Sequence, residues 1–261
     1  MLRIFFLVFS QLIVGGLALM RLVPATEIGK GFFRTCASIY LLIWVLVLAG
    51  LEWARPWELL GFALFTLLFL VYYASLWFEK LPNSSRLLET TSAVGLCAIV
   101  ASALSYPAGA PPIDEAALRA PNFLLSTMSL GAAMTGMLLG HWYLVTPELS
   151  LIPIKRLTAT LSGALVAQGV LLVLTVSPEL GAVPSSLVPR VQHLWVVYPY
   201  FLLGRALVGL AGTFGLAVLT MWLLREGSTQ AATGFLYSAV LTVTVGELIA
   251  RFLCQLTGVP V

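Results

Sequence analysis

The sequence predicts an all-α polytopic membrane protein whose eight transmembrane helices form two similar four-helix bundles. Of the 261 residues, 60% are hydrophobic and only 10% are charged, whereas soluble domains carry about 25% charged residues. Apolar stretches near the ~20 residues that cross a bilayer core recur along the chain. Similar stretches in the third and seventh of them indicate an internal repeat. We therefore expect a chain that lies in a lipid bilayer.

Eight spans are predicted, separated by short connections. They are Leu2–Met20, Phe33–Leu51, Trp57–Phe78, Glu89–Tyr106, Phe123–Val145, Leu157–Val176, Leu194–Leu224 and Ala231–Leu256. We interpret the first as a retained helix, because its apolar run is too long for the hydrophobic region of a typical signal peptide. The seventh is overlong for a bilayer, so part of it is expected to tilt or to project from the membrane.

The lysines and arginines of the connecting segments predict the orientation of the chain. They are concentrated in the loops that follow the odd-numbered spans: Arg21, Lys30, Arg34, Lys80, Arg86, Lys155, Arg156 and Arg225. The loops after the even-numbered spans hold Arg55, Arg119 and Arg190. The odd-numbered loops are therefore expected in the cytoplasm, with both termini outward. We expect a multi-pass protein of the bacterial inner (cytoplasmic) membrane.

The internal repeat is carried by two six-residue stretches. Leu59–Leu64 reads Leu-Leu-Gly-Phe-Ala-Leu, and Leu202–Leu207 reads Leu-Leu-Gly-Arg-Ala-Leu. We predict two halves, residues 1–122 and 123–261, that insert in the same orientation because each contains an even number of spans. Phe62 of the first half corresponds to Arg205 of the second, so the two halves are expected to differ in charge.

Three ionisable residues lie inside the last two spans. Arg205 interrupts the seventh, and Glu247 and Arg251 lie one helical turn apart in the eighth. At 1.5 Å per residue, Arg205 lies roughly 14–16 Å and Glu247 roughly 12–14 Å below the outer surface. Charges in hydrocarbon need partners or a wet cavity. Glu58, at the outer start of the third span, and His193, just outside the seventh, are expected to flank this region.

Two compatible interpretations of these five residues stay open. In the first, Arg205 and Glu247 form a structural ion pair that joins two helices. In the second, the five residues line a pocket for a polar headgroup such as a quinone, and a carboxylate beside arginines passes protons to and from the bound ring.

The two histidines are expected on opposite sides of the membrane, so haem held by both of them is not expected. His141 lies at the cytoplasmic end of the fifth span, where it could form a structural hydrogen bond or serve as a proton relay. Gln11 and Gln168 lie in mid-span and are expected to form hydrogen bonds between helices.

No motif in the sequence predicts catalysis by this chain alone. It contains no Walker loop, Rossmann fingerprint, zinc-ligand spacing or nucleophile elbow. No basic patch with interleaved aromatic residues suggests a nucleic-acid partner. Cys36, Cys97 and Cys254 lie on three different spans and are expected to be buried thiols rather than metal ligands or disulfide partners. We therefore expect no catalytic and no metal-binding residues, and a protein that moves electrons, protons or a solute.

Two stretches carry a resemblance to a known family. Ser10–Gly16 in the first span and Gly246–Arg251 in the last resemble the first and last helices of the membrane-anchor subunits of polysulfide and dimethyl sulfoxide reductases (the NrfD/DmsC type). The plan of eight spans with both ends outside and no haem histidines is similar as well. The resemblance implies a haem-free subunit of a respiratory oxidoreductase complex that binds menaquinone or ubiquinone near the outer face. It also implies an iron–sulfur partner subunit, a catalytic subunit that contains molybdopterin, and quinone-site roles for Glu247 and Arg251.

Two other functions stay open. The chain could be a transporter that binds a small solute or an ion between its halves, or a scaffold or assembly subunit without a ligand. Transporters of this size usually have Gly- or Pro-interrupted helices at matching positions in both halves, and the sequence shows no such pair. The loops are too short to form a soluble domain, so a catalytic domain has to come from another chain.

Overall fold

The computed structural model describes residues 1–48, 55–78, 84–105, 113–146, 148–181 and 183–261, and in these ranges the chain is helical and contains no strand. Its helices are α1 (Leu2–Leu19), α2 (Ala25–Ile28), α3 (Lys30–Val47), α4 (Pro56–Trp77), α5 (Ser84–Ser105), α6 (Ile113–Val145), α7 (Ile152–Val176), α8 (Val188–Val197), α9 (Pro199–Gly204), α10 (Thr213–Arg225) and α11 (Thr229–Thr257). A π-helical segment, Arg205–Gly212, joins α9 to α10. In the described ranges, eight helical stretches are long and apolar enough to cross a membrane. The predicted helical membrane fold is confirmed.

The two largest differences from the predicted spans lie at the start of α6 and within the seventh span. Helix α6 begins at Ile113 rather than at Phe123 and continues through Pro121. The predicted span Leu194–Leu224 was wrong as a single helix. The chain breaks at Tyr198, and α9 begins at Pro199, because proline has no backbone N–H to donate to the preceding turn. The predicted span ends Leu51 and Tyr106, together with Lys80, lie outside the described residues.

Helices α1 and α6 form the centre of the bundle. They are the most buried of the eight spans and pack directly against each other. A Cβ atom on Gly15 would lie 1.9 Å from the carbonyl oxygen of Thr127, and one on Gly131 would lie 2.2 Å from the carbonyl carbon of Gly15. Small residues allow membrane helices to approach this closely. Helices α3 and α5 pack against α1, and α7 and α11 pack against α6.

The two predicted halves share this centre. The proposed boundary between residues 122 and 123 falls inside α6, and α1 contacts both α6 and α11. Division into two four-helix bundles therefore stays a prediction. The predicted difference between the halves is visible at Phe62, whose buried ring packs 4.9 Å from Phe6 and 5.9 Å from Trp44 between centroids. The corresponding Arg205 lies among charges.

The two ends of the bundle differ in charge. At one end Arg3 of α1 pairs with Glu58 of α4, and we call this the outer end in keeping with the predicted orientation. At the opposite end Arg21 pairs with Glu89. The alternation of the spans places most of the basic residues at the described helix ends on that opposite side, and they lie on helices rather than in loops: Arg21, Lys30, Arg34, Arg86, Lys155, Arg156 and Arg225. Its assignment to the cytoplasm stays a prediction.

Labelling of introduced cysteines should establish the orientation. Ser185→Cys, before α8, should react with a membrane-impermeant maleimide in intact cells, and Glu226→Cys, between α10 and α11, should react only after lysis. Both variants need Cys97→Ser as background because Cys97, predicted from the sequence to be buried, is exposed on the lipid-facing side of α5, whereas Cys36 and Cys254 are buried. Labelling with the reverse pattern would place the termini in the cytoplasm.

Candidate functional site

The charges of the seventh and eighth spans meet in the interior of the bundle. Nη1 of Arg205 lies 3.2 Å from Oε1 of Glu247, and Nη2 of Arg251 lies 3.4 Å from Oε2 of the same carboxylate. All three residues are 0% exposed. The predicted ion pair between Arg205 and Glu247 is confirmed. Each carboxylate oxygen of Glu247 faces a different guanidinium group. Arg205 belongs to the π-helical segment, so its ion pair with Glu247 connects that segment to α11.

Two glycines bring these helices into contact. A Cβ atom on Gly246 would lie 2.4 Å from Cα of Gly209 and 3.2 Å from Nη1 of Arg205. The missing side chains therefore let the backbones touch and leave room for the guanidinium group of Arg205. Arg205 is also the first residue of the π-helical segment, a rare geometry that occurs frequently at functional sites.

Neutral polar groups from α6 and α7 complete the cluster. Nε2 of Gln168 donates to Oε1 of Glu247 (2.8 Å) and to Oγ of Ser126 (3.0 Å), and Nη2 of Arg251 donates to the same Oγ (2.5 Å). The Cζ atom of Arg251 lies 3.8 Å from the centroid of the Phe123 ring, which adds a cation–π contact. The interhelical hydrogen bonds predicted for Gln168 are confirmed. Ser126 and Phe123 were not predicted.

The cluster contains two arginines and one glutamate, so its formal charge is +1 when all three are ionised. Burial of charges is costly unless they are paired and hydrogen-bonded. Nε of Arg205 and Oε1 of Gln168 are buried and have no hydrogen-bond partner among the described residues. One is a donor and the other an acceptor. Each of these two atoms therefore has an unused hydrogen-bonding position beside the ion pairs.

The structure brings together three of the five residues predicted to converge and gives the other two different contacts. Glu58 is buried and pairs with Arg3, with 3.3 Å between Oε1 and Nη2. His193 is exposed on α8, and its ring centroid lies 6.0 Å from that of Tyr198. Similar depth in the membrane was not enough to bring all five residues together, because contact also depends on the side of the bundle on which each residue lies.

His141 lies far from this cluster. It is exposed near the inner end of α6, and its Nδ1 atom lies 3.5 Å from the hydroxyl oxygen of Tyr237 on α11. Along α6 it is roughly 22 Å from Ser126 at 1.5 Å per residue. The contact with Tyr237 is compatible with both the structural role and the proton-relay role.

Neither a protein-family model nor a curated protein nor a solved structure matches this chain.

An apolar groove of about 300 Å³ lies beside the cluster at the outer end, between α1, α9 and α11. It is lined by Met1, Ile4, Phe5, Phe201, Leu248, Ile249 and Phe252. Phe201 precedes Arg205 by one turn, and Leu248 directly follows Glu247. The groove thus lies against the lipid-facing side of the helices whose inner sides carry the charges.

A second buried cluster, not predicted from the sequence, lies at the outer end of α6. Nη2 of Arg119 lies 2.8 Å from Oε2 of Glu115, and Arg190 of α8 pairs with Oε1 of the same carboxylate. Ser186 donates to Glu115 (2.9 Å), and Arg119 donates to the carbonyl oxygen of Gly258 (3.0 Å). The predicted placement of Arg119 and Arg190 in loops was wrong, since both lie on helices. The sequence contained one indication of this pair, because Glu115 and Arg119 have the i,i+4 spacing of ion pairs on one face of a helix.

Proposed function

We propose that this protein is a haem-free membrane subunit of a respiratory oxidoreductase complex, which binds quinone near its outer face and exchanges electrons with an iron–sulfur partner subunit. The observation that carries the proposal is the buried Arg205–Glu247–Arg251 cluster beside an apolar, lipid-facing groove. A quinone has two ring oxygens that accept hydrogen bonds and an apolar tail. Sites for such molecules combine mostly apolar walls with a few placed polar groups.

In this proposal each polar residue has a separate task. The guanidinium group of Arg205 donates a hydrogen bond to a ring oxygen. The carboxylate of Glu247 accepts a proton when quinol is oxidised, and Gln168, 2.8 Å away, keeps that carboxylate oriented. Arg251 balances the charge of the carboxylate from the opposite side. Oxidation of one quinol releases two electrons to the partner subunit and two protons, of which Glu247 receives the first.

A ligand-free scaffold is the second candidate. It is favoured by the contacts that Glu247 already makes with Arg205, Arg251 and Gln168 at 0% exposure. In a scaffold, these contacts would serve only to join α7, α11 and the π-helical segment.

Substitution of Arg205 by Lys separates the two candidates. Lysine keeps the positive charge opposite Glu247 but has no second guanidinium nitrogen to donate to a ring oxygen. We expect Arg205→Lys to weaken binding of the quinol analogue 2-heptyl-4-hydroxyquinoline N-oxide by about tenfold, the effect of one hydrogen bond of about 1.4 kcal/mol. Quenching of the analogue's fluorescence by the purified protein measures the dissociation constant.

Arg119→Lys is the matched control, because Arg119 is similarly buried but belongs to the outer cluster. Its dissociation constant should equal that of the wild type. Failure of the wild-type protein to bind the analogue, or equal affinities in all three proteins, would reject the quinone site and favour the scaffold.

Purification from native membranes in mild detergent should also retain an iron–sulfur protein, and its absence would contradict the proposed complex.

A further inference from the structure

One face of α6 is polar and buried over almost its entire outer half. Glu115, Arg119, Asn122 and Ser126 follow one another at intervals of four, three and four residues, which places them on the same side of the helix. None is more than 2% exposed. Polar residues buried in a membrane protein are expensive and commonly mark pathways or paired sites. This face runs from the outer cluster to the cluster around Glu247.

A matching face on α11 lies opposite. Glu247, Arg251 and Cys254 lie on it at intervals of four and three residues, and Gly258, the residue directly after the helix, follows four residues later. All four are buried. The two faces contact each other at both ends, since Arg119 donates to the carbonyl oxygen of Gly258 and Arg251 donates to Ser126. The polar groups therefore lie between two antiparallel helices and away from lipid.

The outer end of this interface reaches the aqueous phase. The side chain of Arg190 is 37% exposed and pairs with Glu115, which is itself buried. Ser186, which is exposed, also donates to Glu115. The carboxylate of Glu115 is thus separated from water by a single side chain.

The inner end reaches the carboxylate of Glu247. Gln168 donates both to Ser126 and to Glu247. Nε2 of Gln11 donates to the carbonyl oxygen of Phe123 (3.1 Å), which places Gln11 of α1 at the same turn of α6 as Asn122.

Three amide oxygens at this turn lack a hydrogen-bond partner among the described residues. They are Oε1 of Gln11, Oδ1 of Asn122 and Oε1 of Gln168, and all three are buried. An unsatisfied buried acceptor costs about 1–3 kcal/mol. Internal water is the usual partner of such groups and typically makes about three hydrogen bonds. Acceptors carried by α1, α6 and α7 thus occur along one turn of α6, and each can accept a hydrogen bond from water.

We infer that the interface between α6 and α11 is a hydrated route through which Glu247 exchanges its proton with the outer aqueous phase. Its ligand is internal water, held by the amide oxygens of Gln11, Asn122 and Gln168. A proton that leaves the carboxyl group of Glu247 passes to this water and then past Glu115 to the surface, and the same route returns it. The inference goes beyond the proposed function, because the route exists whether or not quinone binds. Where quinol is oxidised, it provides the exit for the proton that Glu247 receives.

Radiolytic footprinting tests this inference without quinone. Hydroxyl radicals formed from internal water by a short X-ray pulse oxidise the side chains beside it, so Phe123 and Cys254 report on the route. Phe65 and Cys36 are matched controls, because they are similarly buried but lie in the aromatic and apolar core between α1, α3 and α4. We expect Phe123 and Cys254 to be oxidised about tenfold faster than their controls, in keeping with ordered water at the polar turn. Equal rates would overturn the inference.

Asn122→Leu should close the route with a side chain of similar size. Oxidation of Phe123 and Cys254 should then fall to the rates of Phe65 and Cys36 in the same sample. Undiminished oxidation in a folded Asn122→Leu protein would show that water enters elsewhere and would also overturn the inference. Should this variant fail to fold, the comparison within the wild-type protein decides. If Phe123 and Cys254 were oxidised no faster than their controls while the quinol analogue still bound normally, the hydrated route would be rejected and the quinone site would stand. The two proposals can therefore fail separately.

Discussion

Glu247→Gln should lower the free energy of unfolding by about 3–5 kcal/mol, the usual cost of removing one partner from a buried ion pair. Glutamine keeps the volume of the side chain but leaves the guanidinium groups of Arg205 and Arg251 buried without the carboxylate that faces both. Equilibrium unfolding of the purified protein in mixed micelles, followed by circular dichroism, measures the loss.

Glu89→Gln provides the comparison, since it makes the same chemical change at the surface. Its ion pair with Arg21 is about half exposed (side-chain exposures 49% and 54%), and such pairs contribute about 0–1 kcal/mol. Losses of equal size in the two variants would mean that water reaches the Glu247 cluster as freely as it reaches the surface.

Gly15→Ala should cost about 3 kcal/mol, at the upper end of the penalties for overpacking. The added Cβ atom would lie 1.9 Å from the carbonyl oxygen of Thr127. That oxygen belongs to the backbone of α6, so the clash is relieved only when α1 and α6 move apart. Ser126 and Phe123 lie on the adjoining turn, and we expect the hydrogen bond from Gln11 to the carbonyl oxygen of Phe123 to lengthen as well. The same unfolding titration measures the effect.

Gly163→Ala is the control for this substitution. Gly163 lies on the exposed side of α7, and a Cβ atom added there would meet no other atom within 4 Å. Its unfolding free energy should rise by up to about 1 kcal/mol, because alanine is a better helix former than glycine. A Gly15→Ala protein as stable as Gly163→Ala would show that α1 and α6 are not in close contact.

The membrane fold could be predicted because a bilayer sets the length of an apolar helix, and eight stretches of that length stand out in the chain. The start of α6 could not be predicted from the sequence. Residues before Phe123 include Glu115, Arg119 and Pro121, a composition typical of a loop. The helix nevertheless begins earlier, since Glu115 and Arg119 pair on the same side of it and with residues near or on α8 and α11. Those partners are distant in sequence.

The centre of the candidate site was predictable for a similar reason. A charge within hydrocarbon requires a partner, and Arg205 and Glu247 were at comparable depth. Ser126 was not predictable, because serine is common in membrane helices and only the packing of α6 against α7 and α11 brings its hydroxyl group to Arg251 and Gln168. Glu58, by contrast, was predicted to lie near this cluster and does not. Its predicted depth was suitable, but its carboxylate pairs with Arg3 on α1 instead.

The central position of α1 has a consequence for biosynthesis. The side chain of Gln11 finds its acceptor, the carbonyl oxygen of Phe123, 112 residues later in the chain. At the usual rate of about 5–20 residues per second, a ribosome needs roughly 6–22 s to add that segment. During this interval, the first span has left the ribosome, but the side-chain amide of Gln11 has no hydrogen-bond acceptor from α6. Early insertion of this protein therefore depends on the translocation machinery, or on water near it, to provide hydrogen bonds to Gln11 until the fifth span is inserted.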